Sequence, residues 1–448
     1  MRRLLLITAI LCLPTASADA ATRWVVKGGG WGHALGMSQY GAYGQALAGR
    51  NYKRIVKHYY RSTELGEASG DVRILLLASV GSSTFRGAKR VDGKRVKPGK
   101  TYTVTRRGGR IVVRALGGKR VARSSGVLRV TGSKDMVTVG SKGTYRDAIE
   151  YRPGLSGGVT AVNHVELEHY LRGVVPRESP ASWPIEALKA QAVAARSYAL
   201  AAGADNGIYD HVDTPASQVY GGVGAEHPNT DRAVAETNGK VLRHDGKIIV
   251  AYFHSTSGGH TENNENIFSC SGCVALPYIR GVRDPWDKHS PYHRWRLSYS
   301  APGLGAALGV GRLKRVKVQK RGVSGRIIYA KFRGSAGRVR LHGWDGIRGQ
   351  LGLRDIPETF RRIRSRGSRS SAAAAGVGSR GVAREISGSF VPARKGARVK
   401  VERRSGAGWK RVGSGRIRRG GKYRVAVQRA GTYRVVSAGD RGAPVRVR

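Results

Sequence analysis

The chain has 448 residues, of which 80 are Lys or Arg and 29 are Asp or Glu, giving a formal net charge of +51. That balance argues against a weakly charged metabolic enzyme and points to anionic partners, while the length suggests two to three domains. A hydrophobic fraction of 40% excludes disorder throughout if the positive charge stays at the surface, and 64 glycines favour turns and short strands over long helices.

Arg2 and Arg3, an apolar run over residues 4–14 and Ala16-Ser17-Ala18 make up the charged, apolar and small-residue regions of an export signal at residues 1–20. A spanning helix needs about 20 apolar residues. This run is far shorter and no later stretch comes closer, so no integral membrane segment is expected after signal cleavage. Cys12 follows Leu11, where a lipid-attachment site needs a small residue. Cys270 and Cys273 then remain, too few for a disulfide framework in so long a chain. Outside the cell the abundant anions are the carboxylates and phosphates of wall polymers, so the positive charge reads as wall retention, with general solubility as the alternative. The basic residues lack the aromatic interleaving of RNA-binding motifs, and no nucleic-acid partner is expected. The protein is thus expected to be secreted and wall-associated.

Residues 27–44 form a glycine-spaced loop leading into a helix with Ile55, Val56, Tyr59 and Tyr60. Over about 71–150, short Val/Ile/Leu runs alternate with Gly/Lys/Arg turns, the pattern of an antiparallel β region that serves as scaffold. Residues 158–165 read as a strand, 165–172 as a short helix ended by Gly173, and Pro184 opens a longer helix whose Ile185, Leu188, Ala192, Val193, Ala199 and Leu200 keep helical spacing up to Gly203. Residues 240–255 read as a β-hairpin turned at Asp245-Gly246, with Ile248, Val250 and Tyr252 alternating on the return strand. Residues 361–381 are rich in Arg, Ser, Ala and Gly without periodicity, as in a flexible linker. Residues 382–448, with nineteen basic and three acidic side chains, read as a small basic β module for wall adhesion or stabilisation.

Chemistry centres on residues 170–184, where Glu178 stands between two helices among apolar and aromatic neighbours. Partial burial without a tight cationic partner raises a carboxyl pKa, which a proton donor to a glycosidic oxygen requires near neutral pH. A fold in which Arg177 lies over the carboxylate would have the opposite effect, and Glu178 as a capping or ion-paired residue is the bland alternative. The nearest acid in sequence, Glu186, lies inside the following helix.

The stretch Tyr170 to Leu200, ending in the run Ala190-Gln191-Ala192-Val193-Ala194-Ala195-Arg196-Ser197-Tyr198, closely resembles the signature of the stage II sporulation protein D / LytB family. Residues 30–42 resemble its glycine-rich loop, Phe253-His254-Ser255-Thr256-Ser257-Gly258-Gly259 its FHSTSGG motif, and residues 277–282 the PYLxxV that follows. The resemblance runs from about 28 to 360. It implies an α+β fold, a strand-rich domain over residues 21–360 with a few helices around a glycan cleft. Two departures stand out: the glycine-rich loop opens the domain instead of ending it, as in a circular permutation, and Ser179 stands where the family usually has Met.

What the resemblance implies is a lytic transglycosylase that cleaves the MurNAc–GlcNAc β-1,4 bond of peptidoglycan with a single catalytic acid, Glu178, and no required cofactor. Lys189, Gln191, Arg196, His33, Ser38 and Gln39 are the candidate contacts to the sugars. His254, His260, Cys270 and Cys273 have zinc-ligand chemistry and some relatives hold zinc near this motif, while a Cys270–Cys273 disulfide, the preferred reading, competes with it. The rival function is a non-catalytic enhancer of a wall amidase, as LytB-type relatives are described; a zinc-dependent peptidase is a third reading. Expected partners are peptidoglycan glycan strands, anionic wall polymers and, on the rival reading, a wall amidase.

Overall fold

The computed structural model describes residues 21–203, 207–268, 274–370 and 383–447, so the expected export signal at 1–20 and the Cys270/Cys273 pair lie outside the described residues. The fold is α+β and rich in strands. Among the described residues no helix is long and apolar enough to cross a membrane.

The expected β scaffold is an eleven-stranded sheet. Its path in space runs Arg120–Ser124, Arg110–Ala115, Tyr102–Arg107, Ser82–Arg86, Leu128–Val139, Gly143–Pro153, Val159–Glu166, Asp71–Val80 and finally His211–Val212, which joins its neighbour in parallel, while Ala88–Val91 pairs with Leu128–Val139 off this path and Lys94–Arg95 pairs with Ala88–Val91. In Asp71–Val80 the alternation buries Val72, Ile74 and Leu76 on one face. Those side chains meet Leu171, Val174 and Val175 of helix α3 (Leu167–Glu178) and Ala192, Ala195 and Ala199 of helix α4 (Ile185–Ala201) in one core. A second core lies on the other side of α4, where Ala190, Val193 and Ala194 pack against Met37, Ile55, Val56 and Tyr59. Its run of alanines lets α4 be enclosed on nearly every side, as a central helix needs.

Pro184 caps α4 as the sequence suggests, but α3 does not stop at Gly173. A Cβ at Gly173 would sit 2.5 Å from Tyr220 Cε2, so this glycine permits close packing against a neighbouring loop and is not a stop signal. The glycine-spaced segment also holds a helix of its own, α1 (Gln39–Leu47), before helix α2 (Tyr52–Tyr59). The 240–255 hairpin turns at Asp245-Gly246, both with positive φ, but its return strand is only Lys247–Ile248. Beyond it Ile249 and Ala251 enter the core, opposite in parity to the alternation expected for Val250 and Tyr252.

The expected linker needs a larger correction. Residues 361–370 belong to the strand Thr359–Ser370, and 371–381 lie outside the described residues. That strand stands in a five-stranded sheet ordered Trp295–Ser300, Ala21–Gly28, Thr359–Ser370, Ala383–Val391 and Lys422–Val427. Arg364 and Arg366 face solvent while Ile363, Ser365 and Gly367 face inward. The alternation was hidden because small residues replace apolar ones where the chain passes closely: a Cβ at Gly367 would lie 2.4 Å from the Arg446 carbonyl oxygen. The buried Asp440 ties the region together through Lys27 at 2.8 Å, Arg296 at 3.2 Å and the buried Arg361.

Gly173→Ala tests the packing reading by its sign. Helix propensity alone would stabilise by about 1 kcal/mol, whereas overpacking against Tyr220 is expected to cost about 1–3 kcal/mol. A lower melting temperature is the expected outcome; a higher one would return Gly173 to an ordinary helix position.

Candidate functional site

Glu178 is the last residue of α3 because Pro180 forces Ser179 into the extended region, at φ −134° and ψ 134°. The carboxyl group therefore leaves the helix at its C-terminal end, where the peptide dipoles add partial negative charge. The loop behind Gly173 completes the setting. Gly221 N–H donates to the Gly173 carbonyl at 3.0 Å, Tyr220 donates to Asn163 at 2.9 Å, and the Val219 N–H then reaches Glu178 Oε1 at 2.9 Å. Gln39 Nε2 stands 3.5 Å from Oε2. Burial raises the Glu178 pKa above the ordinary carboxylate value; the Val219 N–H, Gln39 and, least, Arg177 pull the other way without cancelling it. Arg177 is exposed, and among the described residues no ion pair joins it to Glu178.

Glu178 opens into a cavity of about 480 Å³. Its lining brings Trp31, His33 and Gln39 of the glycine-rich segment together with Tyr198, Ser217, Tyr252, His254 and Phe268. Glu178 is the one carboxylic acid among the lining residues. The loop is held because Met37–Ser38 pairs in parallel with Phe253–His254 and Trp31 bridges Thr256. Gly36, at φ 62°, passes so close to the Tyr252 carbonyl oxygen that a Cβ would lie 2.0 Å from it.

Both histidines in the wall are neutral. His33 accepts from the Leu35 N–H at 3.0 Å through Nδ1 and is pushed down to about 4, mainly by burial. His254 Nδ1 donates to the Leu35 carbonyl at 3.0 Å, and burial holds its pKa well below the usual value. Beneath the loop, the buried Asp284 accepts from Ser257 at 2.8 Å and is pushed up to about 7 by burial and by the nearby Asp287.

A family model described as stage II sporulation protein matches residues 155–244. Over 134 residues the chain is 42% identical to an amidase enhancer of Bacillus subtilis, covering 30% of this chain and 17% of that protein. It is 36% identical over 168 residues to stage II sporulation protein D of Bacillus subtilis, covering 34% of this chain and 48% of that one. With stage II sporulation protein D of Bacillus amyloliquefaciens it shares 32% identity over 247 residues, 50% of this chain and 69% of the relative. The chain belongs to the stage II sporulation protein D family. It spans less than a fifth of the amidase enhancer's length and about half that of the Bacillus subtilis sporulation protein. No solved structure matches the chain.

The family resemblance pointed to eight further side chains among the described residues, and the fold brings together three of them. His33, Gln39 and His254 line the Glu178 cavity. Arg196 does not: it is fully buried and grips Glu168 with two bonds of 2.6 Å, its third nitrogen donating to the Lys240 carbonyl at 3.1 Å. Lys189 is held by Glu186 at 2.9 Å and Glu236 at 2.6 Å, away from the cavity. Residues seven apart share a helix face, but α4 is enclosed, and its cations face carboxylates instead of sugars. Ser38 caps the Gln39–Leu47 helix from a fully buried position, bonded by the Gly41 N–H at 3.0 Å. Gln191 is buried behind Ser179, 3.4 Å from its hydroxyl. His260 points its Nδ1 at the Thr261 carbonyl, 2.6 Å away.

For zinc, His254 keeps an unpartnered buried Nε2, which is a ligand-competent tautomer. Among the described residues, however, no group of three or more His, Cys, Asp or Glu side chains converges on a metal position. The described residues therefore do not fit a metal centre, and Cys270 and Cys273 lie outside them. Sequence reasoning missed Trp31, Tyr198, Tyr252 and the Val219 N–H. Trp31, Tyr198 and Tyr252 lie in or beside the family motifs and were findable there, whereas a backbone donor from a loop of irregular structure leaves no residue signal.

Two stability measurements follow. Glu168→Ala leaves the Arg196 guanidinium buried without its counterion and is expected to cost about 3–5 kcal/mol, seen as a lower urea midpoint; an unchanged midpoint would remove the structural role given to Arg196. Asp284 binds a proton in the folded state up to about pH 7, while an unfolded Asp releases it near about 4. Between those values the native state holds more protons, so stability falls as pH rises through that window. The fall should be shallower in Asp284→Asn, as read by melting temperature against pH.

Proposed function

We propose that this chain is an exported peptidoglycan lytic transglycosylase acting in cell wall remodelling, with Glu178 as its one catalytic acid. The supporting observation is that, among the described residues, a carboxyl group of raised pKa without an ion-paired cation is the sole acid lining an aromatic-walled cavity. In its protonated form Glu178 gives its proton to the bridging oxygen between MurNAc and GlcNAc as the bond from that oxygen to the MurNAc anomeric carbon breaks. The carboxylate then takes the proton of the MurNAc 6-hydroxyl while that oxygen bonds to the same carbon, closing a 1,6-anhydro ring. The acid ends protonated again and no water is consumed. A glycosidase that uses water needs a second carboxylate, about 5–9.5 Å from the first; the cavity lining supplies none, which favours the internal nucleophile. Trp31, 44% exposed and packed edge-on against Tyr292 at 4.6 Å, offers a sugar ring an apolar face at the cavity mouth. The Tyr198 and Tyr252 hydroxyls offer hydrogen bonds inside.

The strand-rich basic segment 382–448 is proposed to aid adhesion to the wall through its excess of cations. The second reading, a non-catalytic amidase enhancer, is favoured by the relative of that name.

Purified protein digesting isolated sacculi separates the two. On the first reading it releases anhydro-muropeptides by itself, and Glu178→Gln lowers that release by about 10²-fold or more. Because the donor must be protonated, kcat/KM is expected to fall as pH rises through the elevated Glu178 pKa. No product from the protein alone, with a faster amidase on its addition, would establish the enhancer reading instead. Equal turnover by Glu178→Gln would remove this residue from the chemistry.

A further inference from the structure

The three-stranded sheet Arg315–Arg321, Ile327–Arg333 and Arg338–His342 carries a charge pattern that the glycan site does not use. Its inner face, with Val316, Val318, Ala330, Phe332 and Leu341, belongs to a hydrophobic core. On its outer face Arg315 lies opposite Arg333, which lies opposite Arg338. In the next row Lys317 lies opposite Lys331, which lies opposite Arg340. All six are exposed. Neighbouring strands are about 4.8 Å apart and alternate residues along a strand about 6.8 Å apart, so the six form a two-by-three grid of cations.

Like charges directly opposite each other destabilise a sheet, and this one has four such pairs, none of whose members forms an ion pair with a carboxylate among the described residues. Five of the six, with Lys314, line a groove of about 630 Å³ together with Gly334, Ser335 and Gly337, and no acid stands among the lining residues. The field extends to the adjoining strand: the Arg362 pKa is lowered first by burial and then by repulsion from Arg364 and Arg315. No exposed large apolar side chain lies in the groove for insertion into a bilayer.

We infer that the grid of Arg315, Arg333, Arg338, Lys317, Lys331 and Arg340 is a binding site for a linear phosphodiester polymer, whose regularly spaced anions lie along the groove and neutralise both rows. A polymer fits better than a lone anion because the cations are spread over two rows without converging on one point. A phosphate chain fits better than a membrane because the groove is concave and lined by cations, glycines and a serine, with no large apolar side chain. The site lies outside the Glu178 cavity, so the inference goes beyond strand cleavage and stands whether or not Glu178 is catalytic.

The test uses the full chain, with long-chain inorganic polyphosphate as the probe and the triple variant Lys317→Gln, Lys331→Gln, Arg333→Gln. Affinity is expected to fall at least about tenfold at physiological salt, and the slope of log K against log salt to fall by about two, from about 0.7 per lost contact. A control removing three exposed cations elsewhere, Lys89→Gln, Lys94→Gln, Arg95→Gln, should bind nearly as the parent does. The grid variant is also expected to melt no lower than the parent, because repulsion is relieved. Equal losses in grid and control variants would reduce the grid to general net charge and overturn the site. Tighter binding of phosphatidylglycerol vesicles than of polyphosphate through the grid would make it a membrane surface, and equal binding of polyglutamate would overturn the choice of phosphate. Because the readout is binding, these outcomes are distinguishable from loss of glycan cleavage.

Discussion

Keeping one carboxyl group mostly buried and free of an ion-paired cation is the constraint to which the region around Glu178 answers. In a chain with a net charge of +51 that is a demanding requirement, since a single guanidinium at contact distance would pull the pKa down. The one cation that lowers the Glu178 pKa, Arg177, is exposed and makes no ion pair with it among the described residues, and the cations of α4 are held by other acids. Arg196 is bound by Glu168, Lys189 by Glu186 and Glu236, and Arg177 faces outward. The histidines that remain in the cavity wall are neutral through burial. Of the residues expected to hold sugars, Arg196 and Lys189 are instead bound to carboxylates within the scaffold, whereas His33 and Gln39 line the cavity.

The same economy of acids explains the joining of the two ends of the chain. Asp440 is fully buried and meets Lys27, Arg296 and Arg361, residues from three strands of one sheet. A buried carboxylate among several cations keeps its charge compensated, and removing it would leave those cations facing one another. The C-terminal segment is thus built into the sheet that begins with Ala21–Gly28, which also leads into the glycine-rich loop of the cavity.

Where acids are absent the charge stays unpaired and outward. The grid on the 315–342 sheet is the clearest case, because its cations repel one another across strands, and among the described residues only Arg340 rests on an aromatic ring, that of Tyr329 at 4.8 Å. Paired cations such as Arg196 and Arg361 are built into the interior with their acids, whereas the six of the grid stand exposed side by side. The positive total is thus two populations with different physical roles.

Sequence alone determined the features set by local chemistry: the strand periodicity of 71–150, the start of α4 at Pro184, the turn at Asp245-Gly246, and the family through its contiguous motifs. It also singled out Glu178, since an acid between Pro-punctuated helices among apolar residues is unusual by itself. Tertiary structure decided the rest. Whether Arg196 and Lys189 meet a sugar or a carboxylate depends on Glu168 and Glu236, which are far away in sequence. Gly173 and Gly367 carry the signals of a stop and a linker, yet each marks a place where another part of the chain passes too close for a side chain. The decisive contact to Glu178 comes from the backbone N–H of Val219, a group that every residue but proline possesses, so only the path of the chain could reveal it.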